Sequence, residues 1–424
     1  MNPLPHNVLP DTAAVLADGS LAVGGVPLLD LAARYGTPVF VYDEQHLRNR
    51  CREAVESFGA NRVVYATKAF LCKAMARLAH EEGLMLDVAT AGELFVALSA
   101  GVPADRCVFH GNNKSLDELR YAIESGVHHI NVDSFDELDR LEAIAAQGGA
   151  RPHIALRITP GVEAHTHEFV ATGQDDSKFG FNLGNGDALR AVTRAQRSSA
   201  VELIGLHCHI GSNVFAASSF ARAAEVMAGF AAPFDLPELT LGGGLGVAYV
   251  GGEEAPTIAE WAHVLLDACR SLGVRSAVNV EPGRSIVANA AVTLYTVGTI
   301  KRIPGVRTYV AVDGGMSDNP RPILYGSGYE AFLPRAVQAD RSDRVRLVGK
   351  HCESGDILIN DASVPSDLSV GDIIATPVTG AYGYSMSSNY NMATRPPVVF
   401  VRDGESRLVV RRQELSDLVA LDVE

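Results

Sequence analysis

VVYATKAFLCKAMARLAHEEGLMLDVAT, residues 63–90, decides the fold. It opens on a short apolar run (63–68), passes through a stretch of helical period (71–83), and returns to a second short apolar run at 84–90. A strand, a helix closing on Gly83 and another strand make one βα repeat. The alternation continues with CVFHG (107–111), HINVDS (129–134), IALRIT (154–159), LIGLHCHIG (203–211), LTLGGG (239–244) and VNVEPG (278–283). Between them lie the helical stretches AGELFVALSAG (91–101), SLDELRYAIESG (115–126), DELDRLEAIAAQ (136–147) and IAEWAHVLLDACRSLG (258–273). Eight strand-like runs, preceded by a lead strand VFVYD (39–43), predict an α/β fold with a closed (β/α)8 TIM barrel over residues 36–285. In such a barrel catalytic groups sit at the C-terminal ends of the strands.

After about residue 285 the texture changes. AVTLYTVGTIKRI (291–303), RTYVAVDGG (307–315), RVRLVG (344–349), GDILIN (355–360), GDIIATPV (371–378), PPVVFVRDG (396–404) and SRLVVRR (406–412) are β-branched runs punctuated by Gly, Pro and Asp. They predict a C-terminal antiparallel β domain over 286–424. The pattern SLAVGGVPLLDLAARYG (20–36) suggests that residues 1–35 add a strand to it.

The chain has 424 residues, of which 47% are hydrophobic and 20% charged, a balance that buries a large core and excludes disorder. Asp and Glu number 50 against 36 Lys and Arg, for a net charge of −14. That field repels phosphate backbones and anionic lipid, so nucleic acid and membrane are not expected partners, and a small-molecule substrate is. The six cysteines (Cys51, Cys72, Cys107, Cys208, Cys269, Cys352) show no paired spacing and are read as reduced thiols. With no leader-like N-terminus and no long apolar stretch, a cytoplasmic location is expected.

The strand ends carry the unusual polar groups. Lys68 closes the first barrel strand on the side of Val64 and Ala66. It is either a rim lysine in solvent or a desolvated amine suited to a Schiff base. His207 and His209 share one face of LHCHIG, as a metal-binding pair or, for an imidazole, as a stacking surface for a flat ring. Metal is the less favoured reading, because the other strand ends supply Lys68, glycines and Glu281 rather than further ligands. Gly242-Gly243-Gly244-Leu245-Gly246 follows the seventh strand, as a tight turn or as a phosphate cradle, with Gly211-Ser212 offering further donors. Glu281 closes the eighth strand, either paired with Arg284 or holding a ring nitrogen protonated. A lysine, a ring stacker, a phosphate loop and a ring-nitrogen carboxylate together describe pyridoxal 5′-phosphate.

Ten motifs carry a resemblance: YATKAF (65–70), GNNKS (111–115), VDSFDEL (132–138), TGQDDSKFGF (172–181), HCHIGSN (207–213), GGGLG (242–246), EPGR (281–284), DNPRPILYG (318–326), CESGD (352–356) and GAYGYSMSSNYN (380–391). In these the chain resembles the fold type III pyridoxal-phosphate decarboxylases, which are similar in architecture to alanine racemase, and within them the diaminopimelate decarboxylases. The resemblance implies that Lys68 holds the cofactor and His209 stacks on it. It implies that Ser212 and Gly244, with neighbouring backbone groups, hold its phosphate, that Pro282, Gly283 and Arg284 also bind the cofactor, and that Glu281 pairs with its ring nitrogen. Arg284, Arg321 and Tyr325 would clamp a distal carboxylate, Glu353 would meet a distal ammonium, and Tyr382 would lie beside phosphate and substrate. Cys352 would protonate the substrate carbon. Cys352 and Glu353 would come from the partner chain of a head-to-tail homodimer. Phe70, Asn213 and Gly383 depart from the family's commonest residues without removing any of these groups.

The function so implied is decarboxylation of meso-2,6-diaminopimelate to L-lysine and CO2, the last step of lysine biosynthesis. The alternatives are a sister decarboxylase acting on ornithine, lysine, arginine or a secondary-pathway substrate, a non-catalytic homologue, and a metal-dependent barrel hydrolase. A non-catalytic homologue would be expected to lack Lys68 or Cys352.

Overall fold

The alternation at 63–90 becomes a strand, a helix and a second strand, repeated around a ring. A computed structural model describes residues 4–162 and 173–423. Its contacts divide the chain into two units. One comprises Arg50–Gly246 and Ala255–Ser285, the other Met1–Asn49, Val247–Glu254 and Ile286–Glu424.

In the first unit the strands are β1 (Val64–Ala66), β2 (Met85–Val88), β3 (Cys107–Phe109), β4 (His129–Val132), β5 (His153–Thr159), β6 (Glu202–His207), β7 (Glu238–Thr240) and β8 (Ala277–Asn279). They pair in parallel and in chain order. A bridge between Val63 and Val280 joins the two ends, with Val64 N–H donating to Val280 O at 2.9 Å and Val280 N–H to Arg62 O at 2.9 Å. The expected eight-stranded parallel barrel is present. Helices α1 (Lys73–Glu81), α2 (Ala91–Ser99), α3 (Leu116–Ser125), α4 (Phe135–Ala146), α5 (Asp187–Arg197), α6 (Ala217–Ala231) and α7 (Ile258–Ser271) follow successive strands. Residues 71–83, 91–101, 115–126, 136–147 and 258–273 were legible as five of these, while α5 and α6 were not named from sequence. The pattern that forms α5 is nonetheless plain, since Ala188, Ala191, Val192 and Ala195 recur at helical spacing and are all buried. Ser115 and Glu118 close a capping box on α3, and Gly126 ends that helix at φ 78°.

The strand register sets which residues face inward. Ala66 pairs with Asp87, Asp87 with Val108, Arg157 with His207, and His207 with Thr240 and Thr240 with Asn279. His110, His207 and Glu281 belong to strands that are not neighbours, yet their side chains meet. Only the lumen allows that. Val64, Met85 and Val108 pack as a buried apolar group on the same inward face.

The second unit is built on a sheet in the order Ile357–Val364, Asp343–Val348, Arg307–Val312, Ala291–Ile303, Val39–Asp43, Val398–Arg402 and Glu405–Val410, with Ile373–Pro377 pairing Ala291–Ile303. Most pairings are antiparallel, as expected. Two are parallel, Arg307–Val312 with Asp343–Val348 and Val39–Asp43 with Val398–Arg402. The lead strand VFVYD therefore lies in this sheet rather than in the barrel segment 36–285. All five of its residues are buried, and its two edges are hydrogen bonded to Ala291–Ile303 and Val398–Arg402. Residues 1–35 also belong to this unit. Instead of one added strand they form a separate three-stranded sheet, Ala14–Val15, Leu21–Val23 and Val26–Pro27, followed by the helix Leu28–Tyr35. Among the described residues no helix is long and apolar enough to cross a membrane.

Candidate active site

Lys68 lies just past the end of β1. The strand stops at Ala66, and Thr67–Ala69 form a single 3-10 turn because the buried Thr67 turns inward and its Oγ1 donates to Asp87 O at 2.6 Å. The pleat ends there, so Lys68 is exposed at the barrel mouth rather than buried in the lumen.

Glu281 is the centre of the lumenal polar cluster. It follows β8, is 7% exposed, and its Oε2 lies 2.8 Å from His207 Nε2. His110 Nε2 approaches Oε1 at 2.9 Å, but at an angle that leaves Oε1 buried without a hydrogen bond. The two imidazole rings meet edge to face at 5.0 Å. Burial alone would raise the Glu281 carboxyl, but His207 and His110 hold it well below the usual carboxylate range. Burial pulls His110 down, and Asp87 and Glu281 more than reverse this, leaving it raised. Asp87, 3.7 Å from His110 Nε2, is itself raised by burial. His207 is lowered by burial. The outcome is an ionised carboxylate, one oxygen of which has no well-aligned hydrogen-bond donor among the described residues.

His209 stands two residues beyond His207 on the same inward side. Its Nδ1 accepts from Gly243 N–H at 3.3 Å. Burial, with help from Lys68 and Arg157, pushes the ring well below its ordinary range, so it presents a neutral face. The glycine run beside it has no room for side chains. A Cβ at Gly243 would lie 2.0 Å from Glu281 O, and one at Gly244, at φ 106°, would lie 2.2 Å from Gly211 O. A Cβ at Gly283 would lie 3.0 Å from Ala66 and 3.2 Å from Ala69. Nearby, Arg284 Nη2 donates to Ser212 Oγ at 2.8 Å. Arg284 thus donates to Ser212, and Glu281 contacts the two histidines, so of the two readings of Glu281 the ion pair with Arg284 is not the one seen among the described residues. These features fit pyridoxal phosphate: an oxygen without a well-aligned donor on a buried carboxylate for a ring N–H, a neutral imidazole face, and a glycine-lined turn with a hydroxyl for phosphate and a guanidinium beside it.

Strand-end reasoning passed over Asp87, His110, Asn131, Asp133 and Arg157. Asn131 Nδ2 lies 2.8 Å from His110 Nε2, Asp133 Oδ2 accepts from Gly180 N–H at 3.1 Å, and the Arg157 guanidinium lies 4.2 Å over the Phe179 ring. Each is a polar residue at or beside an inward strand position, the same signal that singled out Lys68. The motif TGQDDSKFGF starts at Thr172, which lies outside the described residues.

The remaining predicted residues lie in the second unit. Arg321, on the short helix Arg321–Tyr325, is 3% exposed. Its Nη1 donates to Tyr329 Oη at 2.6 Å, and its guanidinium lies 4.2 Å over the Tyr249 ring. Among the described residues no carboxylate pairs with it. Tyr325 at the end of that helix is half-buried, as is Tyr382, which holds φ 61°. Cys352 is exposed, whereas the other five cysteines are buried, and all six are free thiols. Burial pushes the thiols of Cys107 and Cys208 up to about 12 and that of Cys269 to about 11. The Cys352 turn is held by its neighbours. Asn391 Oδ1 accepts from Cys352 N–H at 3.2 Å, Asp356 accepts from His351 N–H at 2.8 Å, and Glu353 Oε2 accepts from Tyr390 Oη at 3.3 Å.

Comparison with known proteins follows this division. The family described as pyridoxal-dependent decarboxylase, pyridoxal binding domain, matches residues 44–288. The diaminopimelate decarboxylase of Corynebacterium efficiens is 48% identical over 100% of this chain and 95% of its own length, and that of Bacillus subtilis 46% identical over 96% and 95%. Among solved structures, the diaminopimelate decarboxylase of M. jannaschii in complex with L-lysine superposes with a TM-score of 0.91 at 31% identity, covering 98% of each chain. With more than half of its length matched by the family and full-length relatives at nearly half identity, the chain belongs to the pyridoxal-dependent decarboxylases, in the diaminopimelate decarboxylase branch.

Proposed function

We propose that this enzyme decarboxylates meso-2,6-diaminopimelate to L-lysine and CO2 with pyridoxal phosphate as cofactor. The observation that carries the substrate assignment is Arg321, a buried guanidinium with aromatic neighbours and no acid paired with it among the described residues. A buried cation without an anion is costly, and the distal carboxylate of the substrate supplies one. Lysine and ornithine have an amine but no carboxylate at that end, and would leave the arginine uncompensated.

Bound pyridoxal phosphate supplies a conjugated ring that draws off the electrons of the breaking carbon–carboxylate bond. The chain's residues arrange the rest. Lys68 would hold the cofactor through its side-chain amine. Glu281, kept ionised by His207 and His110, holds a proton on the ring nitrogen. His209 stacks its neutral ring on the cofactor and keeps water from that face. Ser212 and Gly244, with neighbouring backbone groups, retain the phosphate, Pro282, Gly283 and Arg284 line the cofactor, and Tyr382 lies beside the phosphate. Arg284, Arg321 and Tyr325 fix the distal carboxylate, and Glu353 the distal ammonium, so that the other carboxylate is the one lost. Cys352, the single exposed thiol, delivers a proton to the α-carbon.

The assembly we favour is a head-to-tail homodimer in which Cys352 and Glu353 serve the barrel of the partner chain. The separation of the named residues into a barrel group and a β-unit group supports it. The cofactor assignment is tested by Lys68→Ala, which should lose the visible absorption of bound cofactor together with turnover. A variant with a normal spectrum and normal turnover refutes the role of Lys68.

A further inference from the structure

Two groups of histidine and acidic side chains converge among the described residues. His110, His207 and Glu281 belong to the pocket above. The second group, His128, His129 and Glu238, has no part in it. His129 opens β4, Glu238 opens β7, and His128 immediately precedes β4, so the group sits at the N-terminal end of the barrel. Strands β5 and β6 separate β4 from β7 in the sheet order, so the contact runs across the lumen rather than along its wall.

One donor atom from each of the three residues lies within 4.8 Å of the others. His128 Nε2 is 3.0 Å from Glu238 Oε1, and His129 Nδ1 is 3.8 Å from Glu238 Oε2. Asn279 Nδ2 donates to Glu238 Oε2 at 3.1 Å and so orients the carboxylate from behind. A purely structural plug accounts for the His128–Glu238–Asn279 hydrogen bonds but not for His129. That ring is 3% exposed, and neither of its nitrogens has a hydrogen-bond partner among the described residues. Buried polar groups are rarely left so, and one that is asks for an explanation such as an ion. Two imidazoles and a carboxylate form a donor set for zinc-like ions, whereas magnesium and calcium prefer oxygen alone. The side chains of His128 and Glu238 are 32% and 15% exposed, which gives an ion a way in and leaves a position for water.

We propose that His128, His129 and Glu238 bind one divalent transition-metal ion, with zinc as the working identity, at the end of the barrel remote from the strand C-termini. The ion ties β4 to β7 across the lumen and acts as a staple, not as a catalyst.

The test uses the cofactor-loaded enzyme, dialysed against a chelator and titrated with zinc chloride by calorimetry, with cobalt(II) as the visible probe. One zinc per chain, cobalt d–d bands and a raised melting temperature are expected. Glu238→Gln and His128→Gln should each weaken zinc binding by about a hundredfold or more. The visible band of the bound cofactor should stay unchanged in both, which reports an intact barrel. If Glu238→Gln does not fold, the partly exposed His128→Gln decides alone. Absence of saturable zinc binding overturns the proposal, and so does binding that survives the substitutions, because the metal then sits on other groups.

Discussion

Glu281 shows how much one residue depends on its surroundings. A carboxyl buried to 7% exposure would ordinarily be pushed toward its neutral form, and it is the two imidazoles at 2.8 and 2.9 Å that keep it charged. Glu281→Ala removes the group that holds the ring-nitrogen proton, and turnover should fall by about 10²–10³ while the cofactor stays bound. Steady-state kinetics at saturating cofactor checks this, and an unchanged rate would mean that the ring nitrogen is held by another group. Glu281 was legible in the sequence because it closes a strand beside Pro282 and Gly283. His110, Asp87 and Asn131 were not read, although each is a polar residue on an inward strand position. His110 meets Glu281, which follows a strand far away in the chain, and local pattern carries no information about which strands face each other across a lumen. Lys68 was legible as a strand-end lysine but not as exposed or buried, since nothing in YATKAF announces that Thr67 will turn inward and stop the pleat.

At the scale of elements, the eight strands and five of the helices were readable from period and punctuation, because a βα repeat writes itself locally. The strand Val39–Asp43 was readable as a strand but not as a member of the β unit, because its partners begin about 250 and 360 residues later, at Ala291 and Val398. Lys114 was read only as part of GNNKS, because nothing local says that its amine turns inward. It is 1% exposed and donates to Gly111 O, Asn131 O and Glu137 Oε1 at 2.7, 2.6 and 2.7 Å. It thereby ties the end of β3 to the end of β4 and to α4. Glu137 is equally buried, so deleting one partner strands the other. Lys114→Met should destabilise the enzyme by about 3–5 kcal/mol. A Glu137→Gln substitution added to it should recover part of the loss. Chemical denaturation of the two variants provides the check, and a Lys114→Met protein as stable as the parent would remove the pair from the account.

For the whole molecule, the acidic excess that argues against polyanions leaves room for buried cationic groups, since Arg284 and Arg321 are each buried. The proposed shared sites make a prediction that no single chain can meet. Inactive Lys68→Ala and Cys352→Ala proteins, mixed under conditions of demonstrated subunit exchange, should regain activity, at best about a quarter of the parent's if one of four site combinations is intact. No recovery despite exchange would place the complete site within one chain. The central claim is the substrate, and its most direct test is CO2 release by the cofactor-loaded enzyme from meso-2,6-diaminopimelate, L-lysine, L-ornithine and L-arginine at equal concentration. Efficient release from meso-2,6-diaminopimelate with equimolar L-lysine, and little from the other three, is the predicted result; preferential decarboxylation of any of those three would contradict it.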